Sequence, residues 1–562
     1  MKYTKYLIVA GLGVLLLVGL DVFRYAESGP IDQELIHNKD TCTDIIVGKN
    51  ASVDGSVITS HTGCCPECRV HVVPAQTFKK GTMAPVYYGL QDVKKPLREY
   101  GKVIGTIPQV AKTFKYFHTG YPHINEHQLA IAESTMSQKE ELQVDRETGK
   151  QIMTIEQAAV FALQRCRTAG GAVKLITFLV EKYGFLPSCG PESECLCIAD
   201  PNEAWVLEVF SVGKKWTPGS GELGAVWAAQ RVPDDHVTVV PNWSIIKEID
   251  LNSPDFMASK NYKQVAIDHG WYDPQGSKPF IWQEVYSPIL REWASSRLWL
   301  FYSTVAPNYK KWSNKKLDKS MKNYDAYHQY LEPVSFYPFS IKPEKKLSVQ
   351  DVIAFQRSVY PGTIYDMTAD RDWLVPDGSG GLKKSPLTTP FPTKDMRELL
   401  DITYRRMVSR GGYGMVAQLR SWLPDAIGGV YWFYLDNQHT STYVPIYAGV
   451  QQISPLYKTY DPDKFSENSA RWAIDFVDNL LYLKWQEGIE DLRAVRDPLE
   501  AKFFKEQSKI DAEALKLYKK SPKKAKKFLT GYTGSSMEKV VEMYKDLRSL
   551  LITKYTNNKQ GT

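Results

Sequence analysis

Six of the eight cysteines in this 562-residue chain fall into two tight groups. One is Cys64, Cys65 and Cys68, the other Cys189, Cys195 and Cys197. Thiols so spaced can close disulfides, hold zinc or carry redox chemistry. Cys65-Pro-Glu-Cys68 has redox spacing, but no strand–helix–strand pattern surrounds it, and in an exported chain disulfides are the commoner outcome. Cys166 lies in the helical stretch Thr154–Arg167 and reads as a small buried hydrophobe. Cys42 stands alone and is the thiol left to explain. His118, His123 and His127 are offset by five and four residues across Pro122, so they share no helical face and no metal site is expected of them. The chain has no H-E-x-x-H and no G-x-S-x-G, and Gly378-Ser-Gly-Gly-Leu-Lys has the wrong spacing to cradle a phosphate.

These residues need elements to hold them. Short apolar or alternating runs predict strands at Asp44–Gly48, Val57–Ser60, Leu129–Ala132, Glu194–Ala199, Trp205–Phe210, Ala225–Gln230 and Val237–Val240, with a second strand-rich block from Met415 to Val450. Helical periodicity follows Thr154 and Gly170, returns at Ser348–Val359, and dominates from Ser469 onward. The tract Lys519–Lys527 reads as a solvated helix face or linker rather than a nucleic-acid or membrane contact. Apolar residues at 43% and charged residues at 24% exclude disorder and coiled coil as the dominant state, and 12% aromatics suit a β-rich enzyme. A net charge of +7 over so long a chain gives no stripe for nucleic acid outside the C-terminal end. At the N-terminus, Lys2 and Lys5 precede a fourteen-residue apolar run, Leu7–Leu20, and Ala26-Glu27-Ser28 offers a small-x-small cleavage site. That is short for a membrane span and suits a signal peptide, with an uncleaved anchor as the competing reading. Either way the bulk of the chain is expected outside the cytoplasm.

The run Thr41-Cys42-Thr43-Asp44-Ile45-Ile46-Val47-Gly48-Lys49-Asn50-Ala51-Ser52-Val53-Asp54-Gly55-Ser56 resembles the start of the mature chain in the dipeptidase/secernin family of N-terminal-nucleophile (Ntn) cysteine hydrolases. Further blocks resemble the family in order: Asn125 to Thr135, Gln230 to Asp235 with Pro241-Asn242, Gly362 to Asp366, Ala417 to Pro424, Gly428 to Phe433 and Tyr443 to Gly449. The likeness covers roughly residues 42–500.

The resemblance implies an α+β Ntn-hydrolase sandwich, two antiparallel sheets between helical layers, followed by a helical C-terminal extension. It divides the chain into a leader (1–28), a propeptide (29–41), a catalytic domain (42–465) and a Lys-rich helical region (466–562). It also implies cleavage of Thr41–Cys42, so that Cys42 supplies the attacking thiol and its own α-amine acts as base. Asn242 is the implied oxyanion donor. Glu133, expected at the end of its strand, would meet the α-ammonium of a small peptide. Arg231 and Arg297 would pair a substrate carboxylate, brace the Cys42 amine or form structural ion pairs. Many members carry an Arg-Asn-x-Asp segment where this chain has Ser60-His61-Thr62-Gly63-Cys64-Cys65, so His61 or Thr62 would stand in as the polar neighbour of the thiolate. The implied function is cysteine-type hydrolysis of dipeptides, without cofactor or nucleic acid, and a homo-oligomer is compatible with it. An Ntn amidase acting on N-acyl amino acids or bile-salt-like conjugates is the nearest alternative. A surface-anchored, non-catalytic binding protein is the alternative from another class.

Overall fold

A computed structural model describes residues 42–63, 65–90, 102–188, 190–287, 292–309, 337–363, 365–402 and 408–556. The leader, the propeptide, Thr41 of the expected cut, Cys64 and Cys189 lie outside the described residues.

Fourteen strands build two main sheets. In chain order they are β1 (Asp44–Val47), β2 (Val57–Gly63), β3 (His71–Val73), β4 (Tyr116–His118), β5 (Pro122–Asn125), β6 (Ala130–Met136) and β7 (Ser193–Ala199). There follow β8 (Ala204–Phe210), β9 (Val226–Val232), β10 (Val237–Val240), β11 (Phe256–Ala258), β12 (Tyr413–Leu419), β13 (Val430–Leu435) and β14 (Val444–Tyr447). The six-stranded sheet has the order β10-β1-β2-β12-β13-β14, and the eight-stranded sheet β11-β9-β8-β7-β6-β5-β4-β3. Neighbouring strands in both are antiparallel.

β1, β2, β6, β7, β8, β12 and β13 are buried at every position. Continuous burial means both faces are covered. Between the sheets, β1 and β2 pack on β6 and β7; helices cover the rest. α1 (Ile155–Arg165) and α2 (Ala169–Tyr183) lie on the eight-stranded sheet, with Thr154 and Thr168 accepting a first-turn N–H as their caps. α3 (Glu292–Val305) packs on β10. α4 (Val349–Gln356), started by a Ser348/Asp351 capping box, packs on β2 and β12.

The C-terminal part is helical: α5 (Ala470–Leu481), α6 (Trp485–Lys520) and α7 (Pro522–Tyr555). α6 and α7 form a long antiparallel pair that turns at Ser521, with Pro522 at a first-turn position where it needs no N–H partner. α5 packs on β13, while α6 and α7 pack on β14, so these helices share one hydrophobic core with the sheets. Arg420 of the strand region pairs with Asp511 of α6, and Thr533 of α7 donates to the carbonyl of Pro445 (3.0 Å). The lysine tract spans the α6–α7 turn, where Lys519, Lys520, Lys523, Lys524 and Lys527 are exposed. Among the described residues no helix is long and apolar enough to cross a membrane.

Three local expectations need correction. Glu133 does not close its strand: β6 runs on to Met136, because Ser134 and Thr135 keep pairing with Cys195 and Glu194 of β7. β2 likewise extends past Ser60 to Gly63, its partner being β12, so His61 and Thr62 are strand residues. Cys68, Cys195 and Cys197 are buried thiols rather than disulfides. Cys195 and Cys197 alternate on one face of β7, where they pack as small hydrophobes.

Candidate active site

Cys42 lies two residues before the start of β1 and is buried (3% exposed). Its carbonyl accepts from Arg297 Nη1 at 3.0 Å, and the same Nη1 donates to Asn242 Oδ1 at 2.9 Å. Arg297 comes from α3, which packs on β10, and Asn242 lies just past the end of β10, the strand paired with β1. One guanidinium therefore links the nucleophile candidate to the residue beside its neighbouring strand.

Asn242 sits at φ 60°, a left-handed conformation that asparagine tolerates better than most residues. Its backbone N–H donates to Ser134 Oγ (3.2 Å) and its Nδ2 to the carbonyl of Thr135 (2.9 Å). This fixes the amide orientation, since a flipped amide would set two donors against each other at Arg297. One Nδ2 hydrogen goes to Thr135; the second remains for another acceptor, as an oxyanion donor requires.

A second group lies on the inner face of β1 and β2. Asp44 Oδ1 is 3.3 Å from His61 Nδ1, and the backbone N of Glu133 is 3.4 Å from the same ring nitrogen. All three residues are buried. Burial, followed by the nearby charge of Glu133, holds the Asp44 carboxyl well above the ordinary carboxylate range, against an opposing Thr62 backbone hydrogen bond. Burial lowers His61 to about 4 although Glu133 pulls the other way, so the imidazole is neutral. Glu133 Oε1 accepts from the Thr135 hydroxyl (3.2 Å), while Oε2 has no protein partner among the described residues. Thr62 Oγ1 accepts from the backbone N–H of Thr43 (2.7 Å), the residue next to Cys42.

β6 joins the two groups, with Glu133 meeting His61 while Ser134 and Thr135 hold Asn242. The structure thus gathers Cys42, Asn242, Arg297, His61 and Glu133 around β1, β2 and β6. Arg231 is engaged elsewhere, its guanidinium meeting Asp234 at 2.6 Å, Glu203 at 3.6 Å and Asp255 at 3.8 Å in a partly exposed ion-pair network. Among the described residues no group of three or more His, Cys, Asp or Glu is arranged to hold a metal ion. His123 instead packs its ring 5.7 Å from that of His61, and His127 meets Asp425 at 3.2 Å.

Sequence reasoning missed Asp44, Ser134 and Thr135. For Asp44 a signal existed, since alternation from Asp44 through Ile46 places this carboxylate on a core-facing position of an otherwise apolar strand.

A model of peptidase family C69 matches residues 41–497. The chain is 25% identical over 451 residues to a probable dipeptidase of Latilactobacillus sakei, covering 77% of this chain and 79% of that protein. It is 22% identical over 536 residues to a probable dipeptidase B of Streptococcus pyogenes serotype M1, covering 92% and 94%. A dipeptidase of Bifidobacterium longum is 21% identical over 471 residues, covering 77% and 75%.

Proposed function

The chain belongs to peptidase family C69, and on that premise we propose that it is a cysteine-type dipeptidase whose nucleophile is Cys42. Cleavage of Thr41–Cys42 makes this residue the mature N-terminus. Its thiol proton passes to the new α-amine, the thiolate attacks the peptide carbonyl, and the amine returns the proton to the leaving amino group. Water then releases the acyl group from the sulfur. An α-amine has a reference pKa near 8, about right for a base working at neutral pH.

The observation that carries this reading is the double contact of Arg297 with the Cys42 carbonyl and the Asn242 amide. It spans 255 residues to Cys42 and 55 to Asn242, and it sets a polarised amide donor beside the proposed nucleophile. Asn242 receives the oxyanion through its second Nδ2 hydrogen. Glu133, a buried carboxylate with one oxygen unmatched, meets the α-ammonium of the substrate. Arg231 stays outside the chemistry. The two stacked antiparallel sheets with helices against them are in keeping with the Ntn-hydrolase sandwich, with the nucleophile at the head of an inner strand. The protein is exported, small peptides are its substrates, and it needs no cofactor.

The test is an N-terminal mass measurement on active protein from its native host, together with Cys42→Ala. The reading requires a chain starting at Cys42, and a variant that neither matures nor hydrolyses dipeptides. Active protein starting at Gly29 or Met1, or normal turnover by Cys42→Ala, overturns it.

A further inference from the structure

The lysine tract at the α6–α7 turn has no part in the mechanism above, and it lies away from Cys42. Pairing of Gly63 with Tyr413, Tyr413 with Leu435 and Phe433 with Val444 runs along the Cys42 end of the six-stranded sheet. The opposite end therefore carries the β1–β2 hairpin, the turn after β12 and the chain leaving β14. There Tyr447 of β14 donates to Asp511 of α6 at 3.1 Å, and the N–H of Gln451 donates to Thr530 of α7 at 3.0 Å. Tyr544, further along α7, donates instead to the carbonyl of Thr440, ahead of β14. The α6–α7 turn thus belongs to the far end.

Between Ala514 and Met537 the chain has seven lysines and no acid. Lys516 and Lys526 pair with Glu513 (3.8 Å) and Glu126 (3.9 Å). Lys519, Lys520, Lys523, Lys524 and Lys527 are exposed and have no acid partner among the described residues. A solvated helix face would account for the lysines alone. It does not account for the apolar surface at the same end. Trp422, in the turn after β12, is 52% exposed, and Val53, in the β1–β2 hairpin, is 62% exposed. A Cβ added to Gly55 of that hairpin would lie 3.8 Å from the Trp422 ring, so turn and hairpin adjoin. Both are pinned. Arg420, just ahead of Trp422, pairs with Asp511 and donates to the carbonyl of Ile427 at 2.7 Å. The N–H of Val53 donates to the carbonyl of Leu347 at 3.0 Å. A soluble anionic polymer needs only the cations. An indole and an aliphatic side chain held in water at the same end fit a bilayer interface, where tryptophan sits at headgroup level.

We propose that this far end is a docking surface for an anionic phospholipid bilayer: the lysine turn meets headgroup phosphates, while Trp422 and Val53 enter the interface. Charge attraction and buried apolar area add in such binding. Docked in this way, the protein keeps its Cys42 end turned away from the bilayer. The inference stands apart from the assignment of the nucleophile.

The experiment is co-sedimentation of the mature protein, verified by mass to lack the apolar run Leu7–Leu20, with lipid vesicles. One set is phosphatidylcholine alone, the other an equal mixture with phosphatidylglycerol, and melting temperature is the folding control. The wild type should sediment with the mixed vesicles only, and about 1 M salt should release it, since screening then acts within about 3 Å. Lys519→Gln, Lys520→Gln, Lys523→Gln and Lys524→Gln combined should weaken partitioning at least about a hundredfold. Trp422→Ala should weaken it about tenfold while leaving binding to soluble polyphosphate unchanged. If Trp422→Ala melts lower than the wild type, Val53→Ser carries that arm. No sedimentation with mixed vesicles, equal sedimentation with phosphatidylcholine, or wild-type partitioning by the folded lysine variant overturns the proposal. Wild-type partitioning by folded Trp422→Ala overturns the lipid contact and assigns the lysines to an anionic polymer instead.

Discussion

At the scale of single residues, two buried glutamates differ in how their carboxyl groups are met. Glu133 has one carboxylate oxygen unmatched, whereas Glu156 of α1 is buried against Ser188. A buried ammonium costs several kcal/mol to desolvate unless a carboxylate meets it. Glu133→Gln should therefore lower kcat/KM on dipeptides by roughly 10- to 100-fold, about 1.5–3 kcal/mol. N-acetylated dipeptides should be poor substrates for the wild type and lose little more in the variant. Equal cleavage of free and acetylated substrates by the wild type would favour an N-acyl amidase. Glu156 is raised to about 7, chiefly by burial, with Glu133 adding to it and Ser188 opposing. Its folded pKa lies above its unfolded one, so it favours the native state at low pH and that stability is lost as pH rises from the ordinary glutamate range to about 7. Glu156→Gln should remove this loss. Unfolding free energies from urea titrations at about pH 5 and about pH 8 should differ less in the variant than in the wild type, by up to about 3 kcal/mol. An unchanged difference would place the pH dependence on other groups.

At the scale of elements, the decisive one is β10 with the residues that follow it. The alternation of Val237–Val240 makes it readable as a strand, and its observed bounds match that reading. Its pairing with β1 is not readable, because nearly two hundred residues of chain separate the two strands. That pairing brings Asn242 to Cys42. The φ of 60° at Asn242 then aims the side chain back toward Arg297 and Thr135. Asn242→Gly and Asn242→Ala should both lose turnover. Alanine should also lose roughly 1 kcal/mol more stability than glycine, because a left-handed backbone penalises its Cβ. Equal melting temperatures for the two variants would contradict that reading of the turn. The same logic explains why Glu133 reads as a strand end. Ser134 and Thr135 are weak strand signals on their own, and only pairing with β7 carries β6 through them.

At the scale of the whole molecule, the C-terminal helices act as part of the core. Arg357, at the end of α4, makes two 2.8 Å contacts with Glu500 of α6 and donates to the carbonyls of Gln438 and Ser441. Glu500 also accepts from the backbone N–H of Tyr443, just before β14. Removing one partner of such a pair strands the other charge, which typically costs about 3–5 kcal/mol. Arg357→Ala should destabilise the full chain by that amount in urea unfolding, and Arg357→Met with Glu500→Leu should recover most of it. A single variant as stable as the wild type would mean that the helical pair is not held through this contact.

What the sequence determined by itself is local. Short apolar or alternating runs marked β1, β7, β8 and β10 within a residue or two, and period-3.6 patterning marked α1, α2, α4 and the C-terminal helices, because each signal is written within about ten consecutive residues. The contiguous block around Cys42 singled out the thiol for the same reason. The tertiary structure decided what depends on chain closure. It put Arg297 on Cys42 and Asn242, left Arg231 in an ion-pair network, buried Cys195 and Cys197 as thiols, and set Asp44 against His61. No short window contains these meetings. Sheet register and the packing of α3 on β10 set them, and the burial that follows shifts the protonation of Asp44 and His61 in ways no isolated segment could.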